Sequence, residues 1–388
     1  MKKILLLLFL TSLVVCLAIP SVGSFALAEE KGYKSYYVMD YDSGTVIDEE
    51  NSNDRHPIAS MVKIMTLAIA FDEIEKGNLS FDEKITISDY AAGMGGSQMF
   101  LDRGEEYPVT DLIKGVIVCS ANDAATALGE RISGSIDAFV SKMNNYAKQI
   151  GMNDTLFCNA TGLPNSGEQY STAHDVSLMM QKVFSHPEYY NYSKIWMENY
   201  THPDGRVTEM VNTNKLIRSM PECIGGKTGF TNEAGFCLSA GAQSGDTKII
   251  ATVLGGADSK ARFKKVSELL KYGLSNYETK IFASANEKIP CKVDVTNGKT
   301  NEIWVKFSND LKLFVKKSDK NDQLKIETTI YDNLFAPIEI GEAIGKIELK
   351  DENGNILSHA DIITETKIEK MTFGDHLKRI IRNRFFIK

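Results

Sequence analysis

Metal-ligand spacings, phosphate-cradling loops and paired cysteines are all missing from this chain of 388 residues. No His-Glu-x-x-His segment is present to hold a catalytic metal ion, and no glycine-rich loop of the Walker type to cradle phosphates. Past the first thirty residues there are five cysteines, Cys119, Cys158, Cys223, Cys237 and Cys291. The number is odd, the spacing is scattered and no Cys-x-x-Cys pair occurs. A disulfide framework and a zinc site are excluded, leaving buried free thiols and at most one bridge. No metal and no other cofactor is expected. There is no internal repeat and no low-complexity segment. The formal charge is −7, yet residues 367–388 hold seven Lys/Arg against only Glu369 and Asp375. The acidic body excludes general nucleic-acid binding, and the basic tail needs its own explanation.

The first residues are a targeting signal. Lys2 and Lys3 precede a long apolar run, and Ala26-Leu27-Ala28 supplies a small-x-small cleavage site. The reading is a signal peptide over 1–28 and a mature chain that starts near Glu29 and works outside the cytoplasm. Cys16 follows Val15, which is too large for the small residue that precedes a lipidated cysteine.

"SYYVMDYDSGTVIDEEN" reads as strand, Asp-Ser-Gly turn, strand. "SMVKIMTLAIAFDEIEKGN" reads as a helix apolar nearly all round, ended at Gly77-Asn78, and so buried at the centre of a domain. "VTDLIKGVIVC" and "NDAATALGERI" read as two short helices with Thr110 as the N-cap of the first and Ser120 in the break between them. "STAHDVSLMMQKVF" is a further capped helix. From Gly225 the chain reads as antiparallel strands with tight turns, then a helix in "SKARFKKVSELLKYGL". The outer strands of the sheet come from both ends of this segment, and helices cover it. Beyond about residue 280 the pattern becomes short alternating strands with Asn-Gly turns, a separate small β domain.

Chemistry enters with Ser60-Met61-Val62-Lys63. Residues three apart share a helix face, so the Lys63 amine reaches the Ser60 hydroxyl. A serine becomes a nucleophile when a base takes its proton. A lysine serves as that base only when neutral, and desolvation or a second cation lowers its pKa. Ser120-Ala121-Asn122 places a hydroxyl and a carboxamide in the inter-helix break. The same tripeptide recurs at 284–286, downstream of everything it would need as partners, and reads there as surface loop. Lys227-Thr228-Gly229 begins a strand after Gly225-Gly226, with Gly229 leaving room for a substrate along the strand edge. Ser60, Ser120 and Lys227 follow one another at intervals of 60 and 107 residues, each on its own kind of local structure. His174-Asp175, near a helix start, reads as structural. Cys119, ending an apolar helical run, reads as a buried thiol.

The segments "ASMVKIMT", "CSANDAA", "NATGLPNSGEQYSTAHDVSLM", "GGKTGFTNEAGFCLSA" and "VLGG" resemble, in order, those of the serine-type D-alanyl-D-alanine carboxypeptidases, the low-molecular-mass penicillin-binding proteins. The resemblance is close over residues 33–278 and looser beyond. It implies an α+β fold: a β-lactamase/transpeptidase-like domain, an antiparallel sheet covered by helices, over 29–278. A small all-β domain over 279–365 and a C-terminal amphipathic helix over 366–388 follow. It implies that Ser60 attacks the carbonyl between the two terminal D-alanines of a peptidoglycan stem peptide, with Lys63 as base. Ser120 would relay a proton to the leaving D-alanine, and Lys227 would balance the charge of that network. Asn122 would bind the substrate amide, the N–H groups of Ser60 and Phe230 would form the oxyanion hole, and Thr228 and Arg262 would hold the substrate carboxylate. β-Lactam antibiotics would be covalent inhibitors. Two alternatives stay open: a β-lactamase, and a catalytically idle wall-binding protein. Against the first, no Glu-x-x-Leu-Asn lies between the second and third motifs, and Glu168 stands in a different local pattern. Against the second, every polar residue of the set is present.

In the tail, Phe373, Leu377, Ile380, Ile381 and Phe385 share one helical face, with Lys378, Arg379, Arg382 and Lys388 mostly off it. A basic amphipathic helix of this kind lies in a membrane interface. The expectation is a protein held at the outer face of the cytoplasmic membrane by that helix; packing of the helix on the β domain is the alternative.

Overall fold

The computed structural model describes residues 32–164, 167–285, 287–300, 302–319 and 323–385. The expected signal peptide, 1–28, lies outside them. The helices that matter for the site are α1 (Val62–Glu75), α2 (Val109–Val118), α3 (Asn122–Ser133), α4 (Ile136–Gln149), α5 (Ala173–Phe184) and α6 (Ser259–Asn276). Strands β1 (Ser35–Asp40) and β2 (Val46–Glu50) form the expected hairpin, and β3 (Cys223–Thr231), β4 (Gly235–Ser244) and β5 (Thr247–Gly256) an antiparallel meander. The two pieces join where β1 pairs with β5, Tyr37 opposite Thr252, giving the order β2-β1-β5-β4-β3.

β1 is buried along its whole length because both faces of the sheet are covered. Side chains alternate across a strand. Tyr37 and Met39 therefore join the core beneath the helical block, while Tyr36 and Val38 join a second core with Val266, Leu269 and Leu270 of α6. α1 has no polar face, and every residue from Val62 to Glu73 is buried. Beyond it the chain turns at Gly77, whose φ of 75° suits a residue without a Cβ. Thr172 caps α5 by accepting from the Asp175 N–H at 3.0 Å.

One cap is corrected. Thr110 lies inside α2, which begins at Val109 behind Pro108. Both its N–H and its hydroxyl donate to the Phe81 carbonyl at 3.0 Å, so its side chain is taken by a neighbouring segment and the helix starts ahead of it.

Strand Tyr277–Ala283 leaves α6 directly and pairs with Leu311–Lys316. A five-stranded antiparallel sheet follows, ordered Ile289–Lys292, Glu302–Phe307, Ile356–Thr364, Ala343–Lys350, Lys325–Ile330. Its own core includes Val305, Phe307, Ile344, Ile347, Leu349 and Ile362. The final helix, α7 (Phe373–Phe385), starts at Thr372, which exchanges hydrogen bonds with Asp375. Among the described residues no disulfide is formed; Cys223 and Cys237 are buried, and Cys119, Cys158 and Cys291 are partly exposed.

Candidate active site

Ser60 sits in a single 3₁₀ turn, Ala59–Met61, that feeds into α1. Ala59 before it has φ 47°, a left-handed conformation that a residue with a Cβ adopts only at some cost. Ser120, between α2 and α3, has φ 62°. Such strained residues gather where function over-determines the backbone.

Lys63, one helical turn past Ser60, is fully buried. Its Nζ lies 2.9 Å from Ser60 Oγ and donates to the Thr161 carbonyl at 2.7 Å. Burial is the main cause, and the Lys227 charge the second, that hold its pKa well below the ordinary lysine value. Lys227 Nζ donates to Ser120 Oγ at 2.7 Å and to the Thr228 carbonyl at 3.1 Å. Burial brings its pKa down to about 7, with Arg262 adding to the effect. Among the described residues neither lysine has a carboxylate within ion-pair distance. The site is thus two hydroxyl–amine pairs, each with an amine whose pKa burial lowers.

The remaining expected residues fall around these pairs. Asn122 Nδ2 donates to the Gly95 carbonyl at 2.6 Å, and its buried Oδ1 has no hydrogen-bond partner. That leaves an acceptor for an incoming N–H. Thr228 Oγ1 donates to Thr213 Oγ1 at 2.8 Å. Phe230 is half exposed and stacks on Phe236, ring centres 4.2 Å apart. Arg262 is buried rather than on the surface. Its Nη1 donates to the carbonyls of Gly229 at 2.9 Å and Cys237 at 3.1 Å, and its guanidinium lies against Phe236 and Phe263. Burial lowers its pKa to about 10, so it is still charged near neutrality.

The reason given for Gly229 is corrected. A Cβ there would meet the Ile58 carbonyl at 2.5 Å and Met61 Cγ at 3.1 Å. The missing side chain makes room for the turn that carries Ser60, not for substrate along the strand.

The structure adds residues that the sequence reading missed. Thr161 supplies the carbonyl that holds Lys63, Asn159 organises the turn around it, and Thr213 reaches both Thr228 and the Val118 carbonyl. "NATG" is legible as an Asn-Gly-type turn, but nothing in it signals that the turn faces a residue 98 positions upstream.

Other candidates play structural parts. His174 Nδ1 pairs with Asp175 Oδ1 at 2.9 Å, and Asp175 Oδ2 accepts from the Asp154 N–H and Thr155. Burial pushes the Cys119 thiol up to about 11, which keeps it protonated and unreactive. Glu168 lines a cavity of about 270 Å³ beside Ile58 and Ala59 but bonds neither Ser60 nor Lys63. Asp72, Glu75 and His186 come within metal-ligating reach of one another, yet the Lys182 ammonium stands 2.9 Å from Asp72 Oδ1, where a cation would sit.

A serine hydroxyl beside a desolvated lysine, with a second serine–lysine pair, on a five-stranded sheet flanked by helices, is the arrangement of a serine acyl-transfer hydrolase. The chain belongs to the D-alanyl-D-alanine carboxypeptidase family, which matches residues 26–258. The C-terminal domain of penicillin-binding protein 5 matches residues 277–370. The chain is 36% identical to the Bacillus subtilis D-alanyl-D-alanine carboxypeptidase DacF, over 89% of this chain and 88% of the relative. It is 31% identical to the Escherichia coli D-alanyl-D-alanine carboxypeptidase DacC, over 88% and 85%. The crystal structure of penicillin binding protein 5 from Haemophilus influenzae superposes with a TM-score of 0.67 at 30% identity, over 88% of this chain and 98% of the other.

Proposed function

We propose that this chain removes the terminal D-alanine from peptidoglycan stem pentapeptides through an acyl-enzyme on Ser60, and that β-lactams acylate the same serine. The observation that carries the reading is the 2.9 Å contact between Ser60 Oγ and the fully buried Lys63 amine. Neutral Lys63 takes the Ser60 proton as Oγ attacks the carbonyl carbon of the D-Ala-D-Ala bond. The oxyanion falls between the N–H groups of Ser60 and Phe230, each donor worth about 3–4 kcal/mol in comparable sites. The Ser60 N–H also opens a helix, where the dipole favours negative charge. Ser120 hands a proton to the departing D-alanine nitrogen and is resupplied by Lys227. Asn122 Oδ1 accepts from the substrate amide, and Thr228 and the Arg262 charge hold the terminal carboxylate. Water then releases the shortened peptide.

Two measurements test this together. The enzyme is expected to release D-alanine from a peptide ending in D-Ala-D-Ala. With benzylpenicillin, intact mass is expected to show a long-lived adduct of the whole drug. A fleeting adduct with the drug consumed would make it a β-lactamase; no adduct and no drug loss would make it an idle wall-binding protein.

The signal peptide and tail belong to the same reading: export, then peripheral attachment to the outer face of the cytoplasmic membrane. The expected boundary at 365/366 is corrected: Ile368 is buried in the core of the β domain and pairs with Ile338, so that domain runs on to Met371 and only α7 is left as the tail. Among the described residues no helix is long and apolar enough to cross a membrane. α7 instead exposes Phe373 at 84%, with Leu377, Ile380 and Ile381 beside it, and carries Lys378, Arg379 and Arg382. An apolar face with basic flanks suits an anionic bilayer surface. A chain ending at Met371, which keeps the buried Ile368 and removes only α7, is expected to lose binding to vesicles containing anionic lipid while keeping full D-alanine release. Unchanged vesicle binding would refute the anchor.

A further inference from the structure

Lys63 must do more than be neutral. A neutral amine has two N–H groups and one lone pair, and it is a base toward Ser60 only when the lone pair points at the Ser60 hydroxyl. What fixes that orientation is an acceptor that cannot itself donate. The Thr161 carbonyl, 2.7 Å from Nζ, is such an acceptor. It takes one N–H of the amine and, after proton transfer, faces the ammonium.

The Thr161 carbonyl is placed by one side chain. Asn159 Oδ1 accepts from the Thr161 N–H at 3.0 Å, the Gly162 N–H at 2.6 Å and Thr161 Oγ1 at 3.3 Å. Asn159 Nδ2 donates to the Leu163 carbonyl at 2.9 Å. Four bonds from one carboxamide close this turn. The turn also seats against the nucleophile's own backbone. Gly162 has φ 81°, and a Cβ there would lie 1.9 Å from the Ala59 oxygen. One rigid piece therefore touches the residue before Ser60 and the amine that activates it.

We infer that Asn159 is a positioning residue for the acylation step, holding the Thr161 carbonyl where it aims the Lys63 lone pair at Ser60 and receives the ammonium that forms. This rests on Ser60 and Lys63 being nucleophile and base. Asn159 itself touches no reacting atom. The other charged or titratable groups that act on Lys63 are Lys227, Cys119 and Asp123, and none of them belongs to this turn.

The test is the second-order rate of Ser60 acylation by benzylpenicillin, followed by intact mass of the full chain across pH. In Asn159→Ala the turn loses its acceptor, and a base displaced by about 1 Å slows a step about tenfold to a hundredfold. The displaced carbonyl also stabilises the ammonium less, so the rising limb of the pH profile moves to lower pH. In Asn159→Asp the acceptor remains and a negative charge arrives near Lys63. Most of the rate returns at high pH, and the limb moves to higher pH. Opposite displacements are not produced by a residue that merely stabilises the fold. An Asn159→Ala rate within twofold of wild type, with an unmoved limb, overturns the inference. If Asn159→Ala does not fold, Asn159→Asp decides alone, and an unmoved limb overturns it. A wild-type enzyme that is never acylated at Ser60 would instead refute the reading of the site.

Discussion

Ser60→Ala is expected to abolish both D-alanine release and the covalent penicillin adduct. Removing a nucleophile that works as a unit with its base costs about 10⁶-fold in a comparable serine hydrolase, so a loss of at least about 10⁴-fold is the threshold here. The fold should be nearly unaffected. Ser60 is only half buried, its hydroxyl is bonded to Lys63, and Lys63 keeps the Thr161 carbonyl when that hydroxyl is gone. A change in stability of no more than about 1 kcal/mol follows from one lost hydrogen bond of ordinary strength. The loss of activity therefore cannot be laid to unfolding, and matched thermal unfolding of the two proteins checks the point. A penicillin adduct that persists on Ser60→Ala would place the nucleophile elsewhere, with Ser120 the first candidate because its Oγ already contacts an amine of lowered pKa.

The parts of this site that were legible in the sequence are those carried by side chains over short spans. Lys63 follows Ser60 by three residues, so helical geometry alone brings them together. The burial of α1 was legible because a helix with no polar face has no other place to go. The break at Ser120 could be read from the two flanking apolar patterns. What stayed hidden is carried by backbone or by distance. The Thr161 carbonyl has no identity in the sequence, since every residue has one. Gly229 announced a need for space, but not which neighbour occupies it. Arg262 was named from its place in the family pattern, but its burial against the Gly229 and Cys237 carbonyls depends on how α6 packs across the sheet. Thr110 has the composition of a cap and lost that role to the Phe81 carbonyl, a tertiary partner.

Lys63→Met carries the second large effect, and it shows in two observables at once. General-base catalysis by a positioned side chain contributes about 10²–10⁴-fold, so acylation by benzylpenicillin should fall by that range. Methionine fills similar volume without an amine. The second observable is stability against pH. Lys227 has a folded pKa of about 7, whereas an unfolded lysine titrates near about 10.4. Between these values the unfolded chain binds the extra proton, so stability rises with pH across that window. Below about pH 7 Lys227 is protonated in both states and its cost stays constant. Lys63 acts with the same sign, because its folded pKa is also depressed. Buried tyrosines and cysteines act in the opposite sense at alkaline pH, since their folded pKa values are raised. The informative quantity is therefore the difference between variant and wild type, in which those contributions cancel. The variant's gain in stability over wild type is expected to be full below the lowered pKa of Lys63 and to shrink as pH climbs from there toward about 10. Denaturant unfolding of both proteins at a series of pH values measures it. A flat difference would mean that Lys63 binds its proton equally in both states, and a lysine of ordinary pKa could not take the proton from Ser60 at neutral pH.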